Sequence, residues 1–149
     1  MQHVLRLAAA KALAISGRQS DAWVLGADTI VTIDGEVLGK PRTPAESRQM
    51  LGKLSGREHA VYTGFALCRG NEVHVRDVRR SIVCFKSLSP AEMAWYSALA
   101  EPYDKAGGYA VQGTSACFIR EIHGSYTNVM GLPLCEVMEA LTAVGAISF

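Results

Sequence analysis

Residues 22–33 read AWVLGADTIVTI and form the most apolar segment of the 149-residue chain. The segment is rich in β-branched residues, which predicts a strand, and its continuous hydrophobicity predicts burial on both faces. One acidic residue, Asp28, interrupts it. An unpaired carboxylate is costly to bury. We therefore expect Asp28 at a strand end, in a cleft, beside a cation or metal ion, or bound to a backbone amide or an arginine.

The segments around this strand carry clear local signals. Apolar residues at helical spacing predict a helix over residues 4–15 that ends at Gly17. Its buried face would comprise Leu5, Ala8, Ala9 and Ala12. The pair Asp34-Gly35 predicts a hairpin turn. Thr43 precedes a proline and an acidic first turn, which predicts the N-cap of a helix running towards residues 54–56.

The second half of the chain continues the alternation of helices and strands. Two long strands are predicted at about residues 59–68 and 73–85, and a helix capped by Ser89 should continue to residue 100. A hairpin around residues 116–122, a loop over 124–128 and a last helix over 134–144 complete the chain. Because hairpins require antiparallel neighbours, the expected class is α/β with a mixed, mostly antiparallel central sheet flanked by helices. The length fits one domain, residues 1–149.

Composition limits the kinds of partner. The formal net charge is +1, so no global field would attract a nucleic acid polymer or an acidic membrane, and a few local cations must hold any anionic ligand. No apolar run reaches the length of a membrane span, and no signal peptide is evident, so the cytoplasm is expected. The four cysteines are too far apart for half a zinc site and lie among apolar neighbours, which predicts small buried side chains.

Three further features could carry chemistry. Lys40 lies between a glycine and a proline, where it is easily aimed at a ligand, although a solvated loop lysine would look the same. The segment 101–113 combines glycines with Lys105 and Gln112, which suits an anion and a polar ligand edge but also an ordinary polar loop. Lys11 lies on an otherwise apolar helix, where extension to solvent is the usual outcome.

The order of motifs along the chain resembles the Maf family. Any one motif is weak, but the set is specific and spans nearly the whole chain. The matching blocks are residues 6–8 with 11–12, 26–29, 39–41, 54–59, 61–64, 101–102 with 104–107, 112–113, 124–126 and 129–134.

This resemblance implies a fold related to inosine-triphosphate pyrophosphatases, usually dimeric. It also implies hydrolysis of a nucleoside triphosphate to the monophosphate and pyrophosphate with a divalent cation, Mg²⁺ or Mn²⁺. By motif, Asp28 matches the proton acceptor and could alternatively hold the metal. Thr29 and Gln112 match positions linked to base selection, and the phosphate-binding lysines match Lys11, Lys40 and Lys105. The block at 109–113 is similar to the branch that acts on dTTP and UTP.

The resemblance is incomplete at one end. Family members normally begin with a strand and a loop of the Ser-x-Ser-Pro-Arg-Arg type, which has no counterpart before residue 4, so the chain resembles a Maf protein shortened at its N-terminus. Such a loop would supply phosphate contacts. The alternative is therefore a catalytically impaired nucleotide-binding protein, or a regulator of septum formation, a process to which the family is also linked.

Overall fold

The computed structural model describes all residues from Met1 to Phe149. Its five strands form one sheet in the order β2-β1-β3-β4-β5. The pairs β1–β2 and β4–β5 are antiparallel, and helices flank the sheet, so the predicted mixed α/β class is confirmed. The strands are β1 Trp23–Ile33, β2 Glu36–Leu38, β3 Glu58–Arg69, β4 Glu72–Phe85 and β5 Ile119–His123.

Five α-helices and three short 3₁₀ turns connect these strands. The helices are α1 Gln2–Ser16, α2 Pro44–Leu54, α3 Pro90–Ser97, α4 Tyr126–Met130 and α5 Leu134–Ala143. The 3₁₀ turns are Glu101–Asp104, Ala106–Gly108 and Thr114–Phe118. None of the helices is both long enough and apolar enough to cross a lipid bilayer.

The predicted turn and caps are present. Asp34 and Gly35 both have positive φ, 52° and 79°, as a two-residue turn with right-handed strand twist requires. The Thr43 hydroxyl accepts a hydrogen bond from the Glu46 backbone N–H at 3.2 Å. Ser89 forms a full capping box with Glu92 at the start of α3.

The chain divides into two compact units. The first comprises residues 1–29, 62–80 and 127–149, and the second comprises 30–61 and 81–126. The expectation of a single domain over the whole chain stays a prediction.

Each unit has its own apolar core. In the first, α1 packs its small residues Ala8 and Ala12 against Ala66 and Cys68 of β3, all fully buried. Small side chains let the helix approach the strand closely. In the second, an aromatic cluster fills the interior, and its rings meet mainly edge to face. Its members are His59, Phe85, Tyr96, Tyr109 and Phe118.

Some local expectations were wrong. Strand β1 is not buried on both faces, because Gly26 packs on α1 while Leu25, on the opposite face, is exposed. Helix α3 ends at Ser97, since the Ala98 N–H already bonds Trp95 O in the tighter i−3 pattern. The expected loop at 124–128 includes the start of helix α4.

The expected hairpin at 116–122 is also absent. Residues 114–118 form a 3₁₀ turn that buries Phe118, and the following residues make a single strand, β5, that pairs with β4. The cysteines were misjudged too: only Cys68 is buried, whereas Cys117 and Cys135 are exposed. Apolar neighbours in sequence do not fix the direction in which a side chain points.

Candidate active site

The carboxylate of Asp28 is accessible and paired. Its side chain on β1 is 16% exposed, and its Oδ1 accepts a hydrogen bond from the Lys11 ammonium at 2.6 Å. The same ammonium donates to the backbone carbonyl of Ala27 at 3.1 Å. Lys11 therefore reaches the carboxylate of Asp28 instead of merely extending into solvent.

Two glycines explain how α1 delivers Lys11 to this strand. A Cβ at Gly26 would lie 2.8 Å from the backbone nitrogen of Ala12, and a Cβ at Gly64 would lie 2.9 Å from the carbonyl carbon of Val4. Real Cβ atoms do not approach backbone atoms so closely, so both positions require glycine. The absence of these two side chains lets the helix lie directly on β1 and β3.

A hydroxyl chain lies next to Asp28. The fully buried Thr63 donates its hydroxyl proton to the backbone carbonyl of Asn128 at 2.8 Å. The hydroxyls of Thr29 and Thr63 are also 2.8 Å apart. Because Thr63 has one proton and has already donated it, Thr29 must be the donor in that pair. The Thr29 hydroxyl can therefore only accept a hydrogen bond from a ligand.

In the second unit, the loops that carry Lys40 and Lys105 meet. The backbone N–H of Gly107 donates to the carbonyl of Gly39 at 2.9 Å. Lys105 forms an exposed ion pair with Asp104 at 2.9 Å. This hydrogen bond is the main cause of the lowered pKa of Asp104, and the charge of Lys40 adds a smaller effect. Two predicted phosphate ligands thus share one electrostatic neighbourhood, and an exposed pair of this kind is readily exchanged for another anion.

The loop that carries Gln112 is held by hydrogen bonds to the partly buried carboxylate of Glu101. Glu101 accepts hydrogen bonds from the backbone N–H groups of Thr114 and Ser115, at 2.8 and 3.2 Å, and from the Tyr96 hydroxyl at 2.8 Å. Partial burial raises the pKa of Glu101, but these hydrogen bonds outweigh it and the net pKa is lowered. Gln112 itself is exposed at the loop surface, where its amide is available to a ligand.

Sequence reasoning missed three of these contributors. Thr63 looks like an ordinary strand residue, because threonine is common in strands, and Glu101 was seen only as part of a motif. The backbone carbonyl of Asn128 has no sequence signal at all. Gly64 was the one usable sequence signal, and it concerns the packing of α1. A glycine inside a long strand often marks a close approach of another backbone.

The fold and these side chains together characterise the protein. This is a mixed α/β protein in which a helix lysine is fixed against a strand carboxylate and glycine-rich loops carry further lysines. The sequence profile of the family described as "Maf-like protein" matches residues 1–144. The chain belongs to the Maf family.

Similar proteins carry a consistent name. The chain is 57% identical over 149 residues to a protein named dTTP/UTP pyrophosphatase from Syntrophus aciditrophicus (strain SB), covering 99% of this chain and 73% of that protein. A protein of the same name from Symbiobacterium thermophilum is 52% identical, covering 95% and 73%. Another, from Citrifermentans bemidjiense, is 49% identical, covering 99% and 77%.

Proposed function

We propose that this chain hydrolyses dTTP and UTP to the nucleoside monophosphates and pyrophosphate. The observation that carries the proposal is the Lys11–Asp28 contact at 2.6 Å, in a chain that the family profile matches over residues 1–144. The names of relatives at about half identity or more support the substrate class.

Asp28 is the proposed proton acceptor. Cleavage between the α and β phosphates needs a water directed at the α phosphorus and a group that takes its proton. The contact with Lys11 engages Oδ1 and fixes the direction of the carboxylate. Oδ2 is then the oxygen that would bind the attacking water, and Lys11 would hold it in position through the reaction.

The residues also suit a divalent cation. Mg²⁺ in nucleotide sites is usually held by one or two carboxylates together with substrate phosphates, and Asp28 offers such a carboxylate. When bound, Mg²⁺ or Mn²⁺ would withdraw charge from the phosphates and acidify a bound water. The protein's own part is to present one oriented carboxylate oxygen.

Local cations would bind the triphosphate. The chain has a formal net charge of only +1, so attraction of a highly anionic substrate depends on particular lysines. We assign this role to Lys40 and Lys105, together with Lys11. The exposed Lys105–Asp104 pair would open on binding, because an exposed pair of this kind contributes little stability.

Thr29 and Gln112 would recognise the base. Uracil and thymine carry an N–H donor at ring position 3, whereas cytosine has an acceptor there. The Thr29 hydroxyl, whose proton is committed to Thr63, could accept from uracil or thymine and would meet cytosine acceptor to acceptor. Gln112 can donate and accept, so it suits the remaining carbonyl edge.

The test is pyrophosphate release from a panel of triphosphates with Mg²⁺ or Mn²⁺. The variant Asp28→Asn should keep the fold and lose at least ~100-fold in kcat, the usual contribution of a general base. Asp21→Asn, an exposed aspartate in the turn before the same strand, is the matched control and should keep full activity. Undiminished pyrophosphate release by Asp28→Asn would remove Asp28 from the mechanism.

Two further expectations belong to this proposal. The family resemblance implies a homodimer, which analytical ultracentrifugation under reducing conditions tests. The sequence predicts a cytoplasmic location, which fractionation of cells producing the protein tests.

A further inference from the structure

Three metal-ligating side chains lie together on three neighbouring strands of the second unit. Glu58 is the first residue of β3, Cys84 lies near the end of β4, and His123 is the last residue of β5. One ligand atom from each lies within 4.8 Å of the others. None of these residues belongs to the proposed reaction, so the cluster needs its own explanation.

Strand register accounts for the grouping. Cys84 is opposite Glu121, and His123 is opposite Ile82, two residues before Cys84. Residues two apart on a strand share a face, so Cys84, Glu121 and His123 point to the same side of the sheet. A register shift between Cys84 and Phe85 adds an irregularity at this point. Irregularities of this kind often redirect side chains beside functional sites.

The contacts show how close the groups already are. The Cys84 thiol lies 3.6 Å from a carboxylate oxygen of Glu58. The Nε2 of His123 lies 3.6 Å from a carboxylate oxygen of Glu121. Tetrahedral Zn²⁺ with bonds of about 2.0–2.3 Å needs its ligand atoms roughly 3.3–3.8 Å apart. Glu58 and His123 are exposed, so small side-chain rotations would bring the three atoms to that spacing.

The electrostatics favour a cation. The Cys84 thiol lies 3.6 Å from a carboxylate oxygen of Glu58, and Glu121 is its partner in the strand register. The sulfur therefore has carboxylates beside it, whose negative charge a bound divalent cation would balance. The cluster can offer one sulfur, one imidazole nitrogen and carboxylate oxygens.

We propose that Glu58, Cys84 and His123 bind a divalent transition-metal cation of the Zn²⁺ type. Thiolate and imidazole ligands select such ions over Mg²⁺ or Ca²⁺, which prefer oxygen. The fourth position of the tetrahedron falls to water or to the neighbouring carboxylate of Glu121.

The site would act as a structural clamp. Strand β5 has only five residues and lies at the edge of the sheet, paired with β4. A metal ion bound by β3, β4 and β5 would tie this edge strand to β4, its only neighbour in the sheet, and to β3 beyond it. The proposal is independent of Asp28 and of the reaction assigned to it.

Cobalt is the direct probe of a cysteine-containing site. Purified protein, stripped with a chelator and kept reduced with a phosphine, should bind one equivalent of Co²⁺ with a thiolate-to-cobalt charge-transfer band in the near ultraviolet. Zn²⁺ should abolish that band by displacement and raise Tm, because it binds only the folded state.

Variants decide whether the named residues are responsible. Cys84→Ser should remove the charge-transfer band, and His123→Ala should weaken Zn²⁺ binding by at least ~100-fold. The matched controls are Cys117→Ser and Cys135→Ser, at exposed thiols elsewhere, and both should keep the band. Circular dichroism of each metal-free variant checks that the fold is retained.

The proposal is overturned by absence of a charge-transfer band in the wild type. It is equally overturned by a band that survives Cys84→Ser in a folded protein, or by one that is lost in Cys117→Ser or Cys135→Ser.

Discussion

The hydroxyl of Thr29 is an acceptor towards a ligand because of a second residue, which a ligand would not contact. Thr63, fully buried on β3, uses its only proton on the Asn128 carbonyl and so draws the proton of Thr29 towards itself. A hydrogen bond of this kind contributes only about 1 kcal/mol to stability, but it determines which partner the outer hydroxyl accepts. Base selection would then depend on a buried positioning residue.

Replacing Thr63 by valine tests this directly. In Thr63→Val the Thr29 proton is released, the hydroxyl can donate to cytosine, and the ratio of kcat/KM for UTP over CTP should fall about fivefold, as for the loss of roughly 1 kcal/mol of discrimination. Steady-state pyrophosphate release on both substrates gives the ratio. Thr63→Ser keeps the hydroxyl and should behave like the wild type. An unchanged ratio in Thr63→Val would show that Thr29 does not read the base in this way.

Single residues also mark how far the sequence could predict the site. Asp28 could be singled out because a carboxylate stands out in an apolar strand, and the structure places Lys11 beside it. Thr63 could not, because the direction of a hydroxyl proton depends on an acceptor far away in sequence. The functional roles of all the predicted site residues stay predictions: Asp28, Lys11, Thr29, Lys40, Lys105 and Gln112.

Helix α1 packs on strands β1 and β3, and this packing holds the Lys11–Asp28 ion pair in place. Their contact depends on Gly26 and Gly64, where a side chain would strike helix backbone. The sequence predicted α1, the Asp34-Gly35 turn and the helix caps at Thr43 and Ser89. Each of these depends on a sequence signal contained within a few neighbouring residues. The hairpin expected at 116–122 failed because strand pairing is a long-range choice, and residues 119–123 pair with β4 instead.

Two glycine-to-alanine variants separate the effect of helix–strand packing from the effect of helix propensity. Gly26→Ala should destabilise the protein by about 1–3 kcal/mol, because the new Cβ would force α1 off the strand. Gly52→Ala, in helix α2 with nothing within 4 Å, should stabilise it by about 0.5–1 kcal/mol by favouring the helix. Urea denaturation followed by circular dichroism measures both. If both variants changed the free energy of unfolding equally and in the same direction, close packing of Gly26 against α1 would not be the cause.

The stability of the whole chain should depend on pH through the protonation of one buried imidazole. His59 is 3% exposed within the aromatic cluster, and burial lowers its pKa to about 4 from 6.5. Its Nε2 pairs with the Tyr109 hydroxyl at 2.7 Å, while its Nδ1 has no partner. The folded state therefore holds this histidine neutral at pH values where the unfolded chain would protonate it.

The lowered pKa of His59 determines the direction in which pH changes the free energy of unfolding. Between pH 6.5 and about 4 the unfolded state binds more protons, so the free energy of unfolding should fall by up to about 3 kcal/mol as pH drops. Below pH 4.5 the lowered pKa of Glu101 adds a further loss, because that carboxylate must be protonated while it accepts three hydrogen bonds. Urea denaturation from pH 7 to 4 measures the profile.

A pair of histidine variants isolates the contribution of His59. His59→Gln cannot ionise and should flatten the profile above pH 4.5, whereas His74→Gln, at a far more exposed histidine, should leave it unchanged. An unaltered slope in His59→Gln would assign the pH dependence to other groups.

The exposed thiols of Cys117 and Cys135 have a practical consequence for work on this protein. In air, surface thiols on separate molecules oxidise to intermolecular disulfides. A doublet on a non-reducing gel, or a shortened retention time after storage, would then record covalent cross-linking during handling and not natural self-association. Freshly reduced samples, or a double serine replacement of these two residues, give the sound starting point for weighing the molecule in solution.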